Sequence, residues 1–261
     1  MRRISLEKSL VASVLVALIA VLPAPTSRAA KLKEAEAKPA ATEKPVSRQG
    51  TVRYYVRRGD DPMVLAHIDY EWRHDGKSYE LRSVFETVGM LAALKPTRTA
   101  MASQGEISAE GLRPLSFRNE KKKRTDTAEF DWNAKTVSYR DEKAALLAGT
   151  QDLLSLYAQL AWLVPREALD ISVATGSKVE AYRITAQGEE KLTVAKKQIA
   201  AVHVSAQTDD ERIDFWLPTL ANVSSGKRSF PAEMPLPLRV RVTEKSGITL
   251  VQSLEPPAQG R

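Results

Sequence analysis

Residues 65–87, LAHIDYEWRHDGKSYELRSVFET, decide the fold of this chain. Ile68, Tyr70 and Trp72 alternate with charged residues, so an extended strand would carry them on one face and the charges on the other. Asp75–Gly76 then supplies a tight turn, since glycine adopts positive φ without steric cost. Ser78–Thr87 returns with the same alternation. The stretch therefore predicts an antiparallel β-hairpin.

The same pattern recurs along the rest of the chain, with turn residues every 8–12 positions. Spacing of this kind is typical of a sheet built from successive hairpins. We therefore expect an all-β, mainly antiparallel fold, a curved barrel or half-barrel, in which Gly188 breaks one strand. The further expected strands are Asp126–Trp132, Thr136–Arg140, Ile171–Thr175, Val179–Ala186, Leu192–Val194, Ile199–Ala206, Arg212–Leu217, Leu238–Thr243 and Ile248–Leu254.

Two segments depart from this alternation. Thr150–Leu163 has helical spacing with one apolar face, so it predicts a helix packed against the sheet, capped by Thr150 and stopped by Pro165. Val88–Leu94 is short and apolar, and Gly89 lies within it. Core packing is the simpler interpretation of this segment, and a lip that faces a ligand or a membrane is the alternative.

The N-terminus carries an export signal. Arg2 and Arg3 precede the apolar run Leu10–Leu22, which has 13 residues, whereas a spanning helix needs about 20. We expect residues 1–29 to be a cleaved signal peptide and the protein to be periplasmic, with an uncleaved anchor in the inner membrane as the alternative. Residues 30–49, rich in Ala, Lys, Glu and Pro, predict a flexible linker, and residues 50–261 a single domain.

Composition excludes several classes of function. The chain has no cysteine, which rules out disulfides and a lipid-modified N-terminal cysteine. Of the net charge of +7, residues 1–29 carry +3 and residues 30–49 carry +2, so the domain has only +2. That is too little for a nucleic-acid footprint. The one basic cluster, Lys121–Arg124, is interpreted as a solvated turn rather than a contact with anionic lipid.

The sequence offers no catalytic constellation. No G-x-S-x-G elbow, phosphate loop or zinc spacing occurs, so we expect no enzyme activity, no metal and no cofactor. His67 and Asp69 share a strand face, but no third ligand is identifiable. His74 and His203 are both expected to be exposed to solvent.

Aromatic and apolar residues are the remaining site candidates. In a closed, filled barrel these side chains form the core, whereas in a wider or open barrel they line a cavity for an apolar ligand. The sequence leaves both readings open. The candidate ligand-binding residues are Tyr70, Trp72, Phe85, Met90, Leu94, Trp132 and Phe215.

A family resemblance rests on five short motifs in fixed order: GLRP (111–114), FDW (130–132), QDLLS (151–155), FWLP (215–218) and LPLR (236–239). With them, the chain resembles the bacterial exported family called domain of unknown function 3108, from about residue 52 to residue 254. The resemblance implies an envelope location and an antiparallel, barrel-like fold, and it implies no activity. More loosely, residues 216–247 are similar to the end of periplasmic lipoprotein carriers, which are half-barrels that hold acyl chains.

Three functional hypotheses follow. The first is a non-enzymatic periplasmic binding or carrier protein for an apolar or amphipathic envelope ligand. The second is an envelope scaffold or adaptor protein that acts through a surface patch, with Val88–Leu94 or Pro231–Pro237 as the contact. The third is a carboxylate-dependent hydrolase of envelope polymers.

Overall fold

The computed structural model describes residues 47–194, 196–219 and 230–254. The predicted signal peptide and residues 30–46 of the predicted linker lie outside these ranges. The elements in chain order are β1 (Arg48–Arg58), β2 (Ala66–His74), β3 (Ser78–Thr87), α1 (Gly89–Leu94), β4 (Arg98–Ser108), β5 (Gly111–Glu120), β6 (Thr125–Asp131), β7 (Thr136–Tyr139), β8 (Glu142–Ala145), β9 (Gln151–Asp152), α2 (Ser155–Leu163), β10 (Leu169–Ala174), β11 (Val179–Val194), β12 (Lys197–Gln207), β13 (Glu211–Pro218), β14 (Arg239–Glu244) and β15 (Thr249–Ser253).

All fifteen strands belong to one curled sheet in the order β8-β7-β6-β5-β4-β3-β2-β1-β15-β14-β13-β12-β11-β10-β9. Neighbouring strands pair antiparallel except the short β9, which pairs parallel with β10. The first strand lies in the middle of the sheet, because β1 pairs with β2 on one side and with the last strand, β15, on the other. The prediction of an all-β, mainly antiparallel, curved fold is confirmed.

The hairpins predicted from alternation are present. Tyr70 and Trp72 face the core, and β6 with β7 and β10 with β11 form the expected pairs. The expectation for Gly188 is wrong. β11 continues through this residue as a 16-residue strand, with a shift of register between Ala186 and Gly188. A glycine with φ of 130° accommodates such a bulge, which bends a strand without ending it.

The sheet curls far enough for its β9 edge to reach the inner face of the opposite half. Gln151 Nε2 donates to the carbonyl of Leu112 on β5 at 2.9 Å. Ser103 on β4 donates to Oδ2 of Asp152 at 2.6 Å. All four residues are buried. The interior is therefore closed by contacts between strands far apart in the sheet order.

The helix predicted over Thr150–Leu163 starts later than expected, at Ser155. Gln151 and Asp152 are taken into β9, and Thr150 donates to the carbonyl of Leu147 instead of capping the helix. Asp152 takes the capping role, because its Oδ1 accepts the N–H groups of Leu154 and Ser155 at 2.8 and 2.9 Å. These bonds satisfy backbone donors that no helical carbonyl can reach.

Helix α2 lies inside the curled sheet rather than on its surface. Seven of its nine residues are buried, so it lacks the solvent face of an amphipathic helix. The ring of Tyr157 stacks on Tyr70 of β2 and meets Phe215 of β13 edge-on, with centroids 6.3 and 5.3 Å apart. Gln159 Oε1 accepts the backbone N–H of Leu112 at 2.7 Å. The helix thus contacts the inner faces of strands from both halves.

The buried carboxyl of Asp152 generates a prediction on stability. Burial raises its pKa from 3.8 to about 6, although Ser103 and the N–H groups it accepts partly oppose the shift. Because the folded protein disfavours the ionised carboxyl, the free energy of unfolding should fall as pH rises from about 4 to about 6. Asp152→Asn keeps the shape and removes the charge. Relative to this variant, the wild-type protein should lose about 3 kcal/mol across that window.

Chemical denaturation of both proteins between pH 4 and pH 7 measures this difference. Parallel pH profiles for the two proteins would contradict the burial of an ionisable group at this position.

Candidate functional site

The structure does not gather the seven predicted ligand-binding residues into one site. Tyr70, Trp72, Phe85 and Phe215 are buried on the inner side of the sheet. Trp132 lies at the edge of the core, where its Nε1 donates to the carbonyl of Pro114 at 2.7 Å. Met90 and Leu94 lie on the surface.

A narrow internal crevice of about 70 Å³ is lined by two of these residues. Tyr70 and Phe85 line it, with Leu154 and Tyr157 on the helix side. The hydroxyl of Tyr70 donates a hydrogen bond to the carbonyl of Leu154 at 2.6 Å. Pockets for small-molecule ligands generally measure about 300–1,000 Å³. The crevice in this conformation is therefore too small for an acyl chain.

One end of the sheet exposes apolar side chains. Met90 and Leu94 of α1 are 70% and 79% exposed, so core packing of Val88–Leu94 is the wrong interpretation. Met63 and Ile248 are exposed in neighbouring loops. A backbone bond from Val88 to Leu65 joins the start of α1 to the first loop, and a bond from Gly59 to Thr249 joins the two loops. We call this end, with α1, residues 59–65, the 121–124 turn and residues 245–248, the turn end.

The basic cluster lies at the same end, in the turn that joins β5 to β6. Lys121 is only 6% exposed and pairs with Asp126 at 3.0 Å, and Arg124 contacts the same carboxylate at 3.2 Å. Lys122 and Lys123 are exposed and form no ion pair within the described part of the chain. Only β4 separates this turn from β3, which leads into α1. Two cations without an ion pair in the described chain therefore lie at the same end of the sheet as the apolar helix.

A second surface feature lies on the outer face of β1, β13, β14 and β15. It is a concavity of about 610 Å³, which we call the arginine concavity. Its charged and aromatic lining residues are Arg57, Asp60, Arg212, Asp214, Trp216, Arg239 and Arg241. The sequence analysis missed this site, because residues 57 and 239 come together only through the pairing of β1, β15 and β14.

Asp214 organises half of the concavity. Its side chain is 2% exposed and accepts hydrogen bonds from Arg212 at 2.9 Å and Arg241 at 3.0 Å, while His203 Nε2 lies 2.9 Å from Oδ1. Burial alone would raise the pKa of this carboxyl. The contacts with His203, Arg212 and Arg241 outweigh burial and hold its pKa below the ordinary value. Asp214 is therefore an ionised anchor for its neighbours.

Trp216 forms the floor of the same region. The ring of His203 stacks on it at 4.6 Å, and the guanidinium groups of Arg241 and Arg239 lie 5.1 and 5.5 Å from its centre. The expectation that His203 is exposed is wrong, since its side chain is 12% exposed. His74 is also buried, with Nε2 3.0 Å from the carbonyl of Ala232. Burial lowers the pKa of His74.

Arg57 and Arg239 differ from the other arginines of the concavity. The Nε atom of each is buried, and neither finds a hydrogen-bond partner in the described structure. Neither forms an ion pair with a described carboxylate. The concavity thus combines two arginines held by Asp214 with two whose Nε donors have no partner in the described structure.

Known proteins place the chain in a family. The family model described as "Protein of unknown function (DUF3108)" matches residues 49–253. The chain belongs to the DUF3108 family. This confirms the resemblance found in the sequence motifs. The family's description names no activity, so a function for this chain has to be inferred from its geometry.

The other comparisons add little to the DUF3108 assignment. No curated protein matches the chain. A solved structure, the beta-barrel-like protein of domain of unknown function DUF1849 from Brucella abortus, is 13% identical with a TM-score of 0.44, covering 78% of this chain and 94% of that chain.

Two further findings concern metal binding and membrane-spanning helices in the DUF3108 chain. Within residues 47–194, 196–219 and 230–254, no group of three or more histidine or acidic side chains could hold a metal ion. Over the same ranges, no helix has the length and apolar character needed to cross a bilayer.

The anchoring role of Asp214 can be measured. Asp214→Ala leaves Arg212, Arg241 and His203 without their shared partner, so the free energy of unfolding should fall by about 2–4 kcal/mol. Asp170→Ala is the matched control, because Asp170 pairs with Arg183 on an exposed surface. That change should cost less than about 0.5 kcal/mol. Equal losses in urea denaturation would contradict the anchoring role.

Proposed function

We propose that this protein is an exported, non-enzymatic periplasmic protein that binds an amphipathic envelope ligand, an anionic lipid surface, through its turn end. The observation that carries the proposal is the exposure of Met90 and Leu94 beside the unpaired Lys122 and Lys123. Exposed apolar side chains next to cations match the two layers of an anionic bilayer surface, which are acyl chains and charged headgroups.

The occupied interior supports binding at the surface rather than transport inside the sheet. Helix α2 fills the concave side, and the crevice beside it measures about 70 Å³. A carrier would need to move α2 out and break its bonds to Leu112 and Tyr70. Binding at the turn end requires no rearrangement. Pro231–Pro237, the other predicted contact segment, is a weaker candidate because Met234 and Leu236 are buried.

The expected free energy of binding to the lipid surface is that of a reversible association. Inserting a methionine and a leucine contributes about 1.5–3 kcal/mol each at full burial, and both side chains are mostly exposed before binding. Each lysine near an anionic surface adds about 1 kcal/mol. The sum is about 5 kcal/mol, a sub-millimolar affinity that an export signal and confinement in the envelope would make effective.

The direction of the first strand leaves the turn end accessible. Arg48, the first residue of β1, pairs with His74 at the far end of β2. The chain therefore enters the domain at the end opposite α1, about 36 Å away for a strand of 11 residues.

Vesicle co-sedimentation tests the proposal. The mature chain should bind vesicles of phosphatidylglycerol mixed with phosphatidylcholine, and bind phosphatidylcholine alone at least tenfold less. Met90→Asp with Leu94→Asp should abolish binding, because it removes the apolar contact and adds repulsion. Lys122→Glu with Lys123→Glu should reduce it at least tenfold and remove its dependence on salt.

Leu147→Asp is the matched control, since Leu147 is 58% exposed and lies beyond β8 at the opposite end of the sheet. It should bind as the wild-type protein does. All of these residues are exposed, so the thermal unfolding midpoints should agree. The proposal fails if anionic vesicles do not bind the protein or if the Leu147 variant loses binding as fully as the α1 variant.

A further inference from the structure

The geometry points to a phosphate-binding site in the arginine concavity. The first observation is the pair of unused guanidinium donors: Nε of Arg57 and Nε of Arg239 are buried without a partner. Buried donors of folded proteins nearly always have an acceptor. Two unsatisfied donors of the same charge that line one concavity indicate an acceptor supplied by a ligand.

The charge of the concavity agrees with an anionic ligand. Four arginines and two aspartates line it, which leaves a net charge of +2. Asp214 is already engaged by Arg212 and Arg241, so it does not neutralise the other two arginines. Burial, and then the neighbouring charge of Arg57, lower the pKa of Arg239. A phosphate group, with its two negative charges, would balance this site.

The chemistry of the lining residues favours phosphate over a simple counterion. A guanidinium offers several N–H donors in a planar fork, which matches the oxygens of a phosphate group. Trp216 adds an apolar floor, and the volume of about 610 Å³ accommodates an organic group beyond the phosphate.

Two sources can supply this phosphate group. The concavity opens beside Gly59 and Asp60, at the edge of the turn end, so a lipid headgroup could reach it when the protein is on a membrane. A free phosphate or a soluble phosphate monoester fits the same donors. Only the headgroup source rests on the proposed function, and the arginines of the concavity are distinct from Met90, Leu94, Lys122 and Lys123 of the turn end.

Titration of the mature chain with inorganic phosphate tests the site, with potassium chloride at the same ionic strength as the reference. Phosphate should raise the thermal unfolding midpoint and change the fluorescence of Trp216, and glycerol phosphate should act similarly. Arg57→Gln and Arg239→Gln should each weaken both responses at least tenfold. Arg239→Lys, which keeps the charge but not the fork, should bind with intermediate strength.

Arg183→Gln is the matched control, because Arg183 is an exposed arginine paired with Asp170 on another part of the sheet. It should respond to phosphate as the wild-type protein does. Without phosphate, the Arg57 and Arg239 variants should unfold at or above the wild-type midpoint, since each change removes a partly buried cation that no described carboxylate neutralises. A lower midpoint combined with an unchanged phosphate response would assign these arginines a structural role and overturn the inference.

The inference also fails if potassium chloride reproduces the effect of phosphate or if the Arg183 control loses it equally. Vesicle binding of Arg57→Gln then separates the two sources. If Arg57→Gln, which keeps Met90 and Leu94, loses vesicle binding, the phosphate group comes from a lipid headgroup. If its vesicle binding is unchanged, the source is a soluble phosphate. Failure of the α1 variants alone affects the proposed function and leaves this inference standing.

Discussion

The pairing of the first strand with the last is the constraint on which the structure depends. Tyr55–Arg58 of β1 pair with Leu250–Ser253 of β15, and this contact joins two runs of hairpins into one sheet. The hydroxyl of Tyr54 supports the junction by donating to the carbonyl of Pro237 at 2.7 Å. The arginine concavity spans the same junction, since Arg57 lies on one side of β15 and Arg239 on the other. The candidate phosphate site therefore exists only when β15 is paired with both β1 and β14.

The sequence predicts the features that depend on neighbouring residues. Alternation predicts which face of β2 is buried, because it has a period of two residues. Turn residues predict most hairpins, because a turn spans only a few residues. It does not predict the place of α2, whose burial on all sides comes from the curl of the sheet. The sequence also predicts the wrong exposure for His203. The ring of His203 stacks on Trp216, which forms a small cluster with Leu192, Ala201 and Leu238 on the outer face. The concavity needs register between distant strands, which no local pattern encodes.

The two proposed sites share a physical logic. The interior is occupied by α2 and its hydrogen bonds, so both proposals rest on groups of the outer surface: the exposed Met90 and Leu94, Lys122 and Lys123 without an ion pair in the described chain, and the Nε donors of Arg57 and Arg239. Asp126 and Asp214 show the contrasting case, because each buried carboxylate gathers nearby cations and uses them for stability. We therefore assign function to the cations that no described carboxylate holds.

Hydrogen exchange of the mature chain, with and without anionic vesicles, tests the central claim that the protein works through its outer surface while α2 stays in place. The account predicts slower exchange in residues 88–95 and 121–124 when vesicles are present, with no change in residues 153–163. Faster exchange in residues 153–163, with the turn end unaffected, would show that the helix leaves the interior and would contradict it.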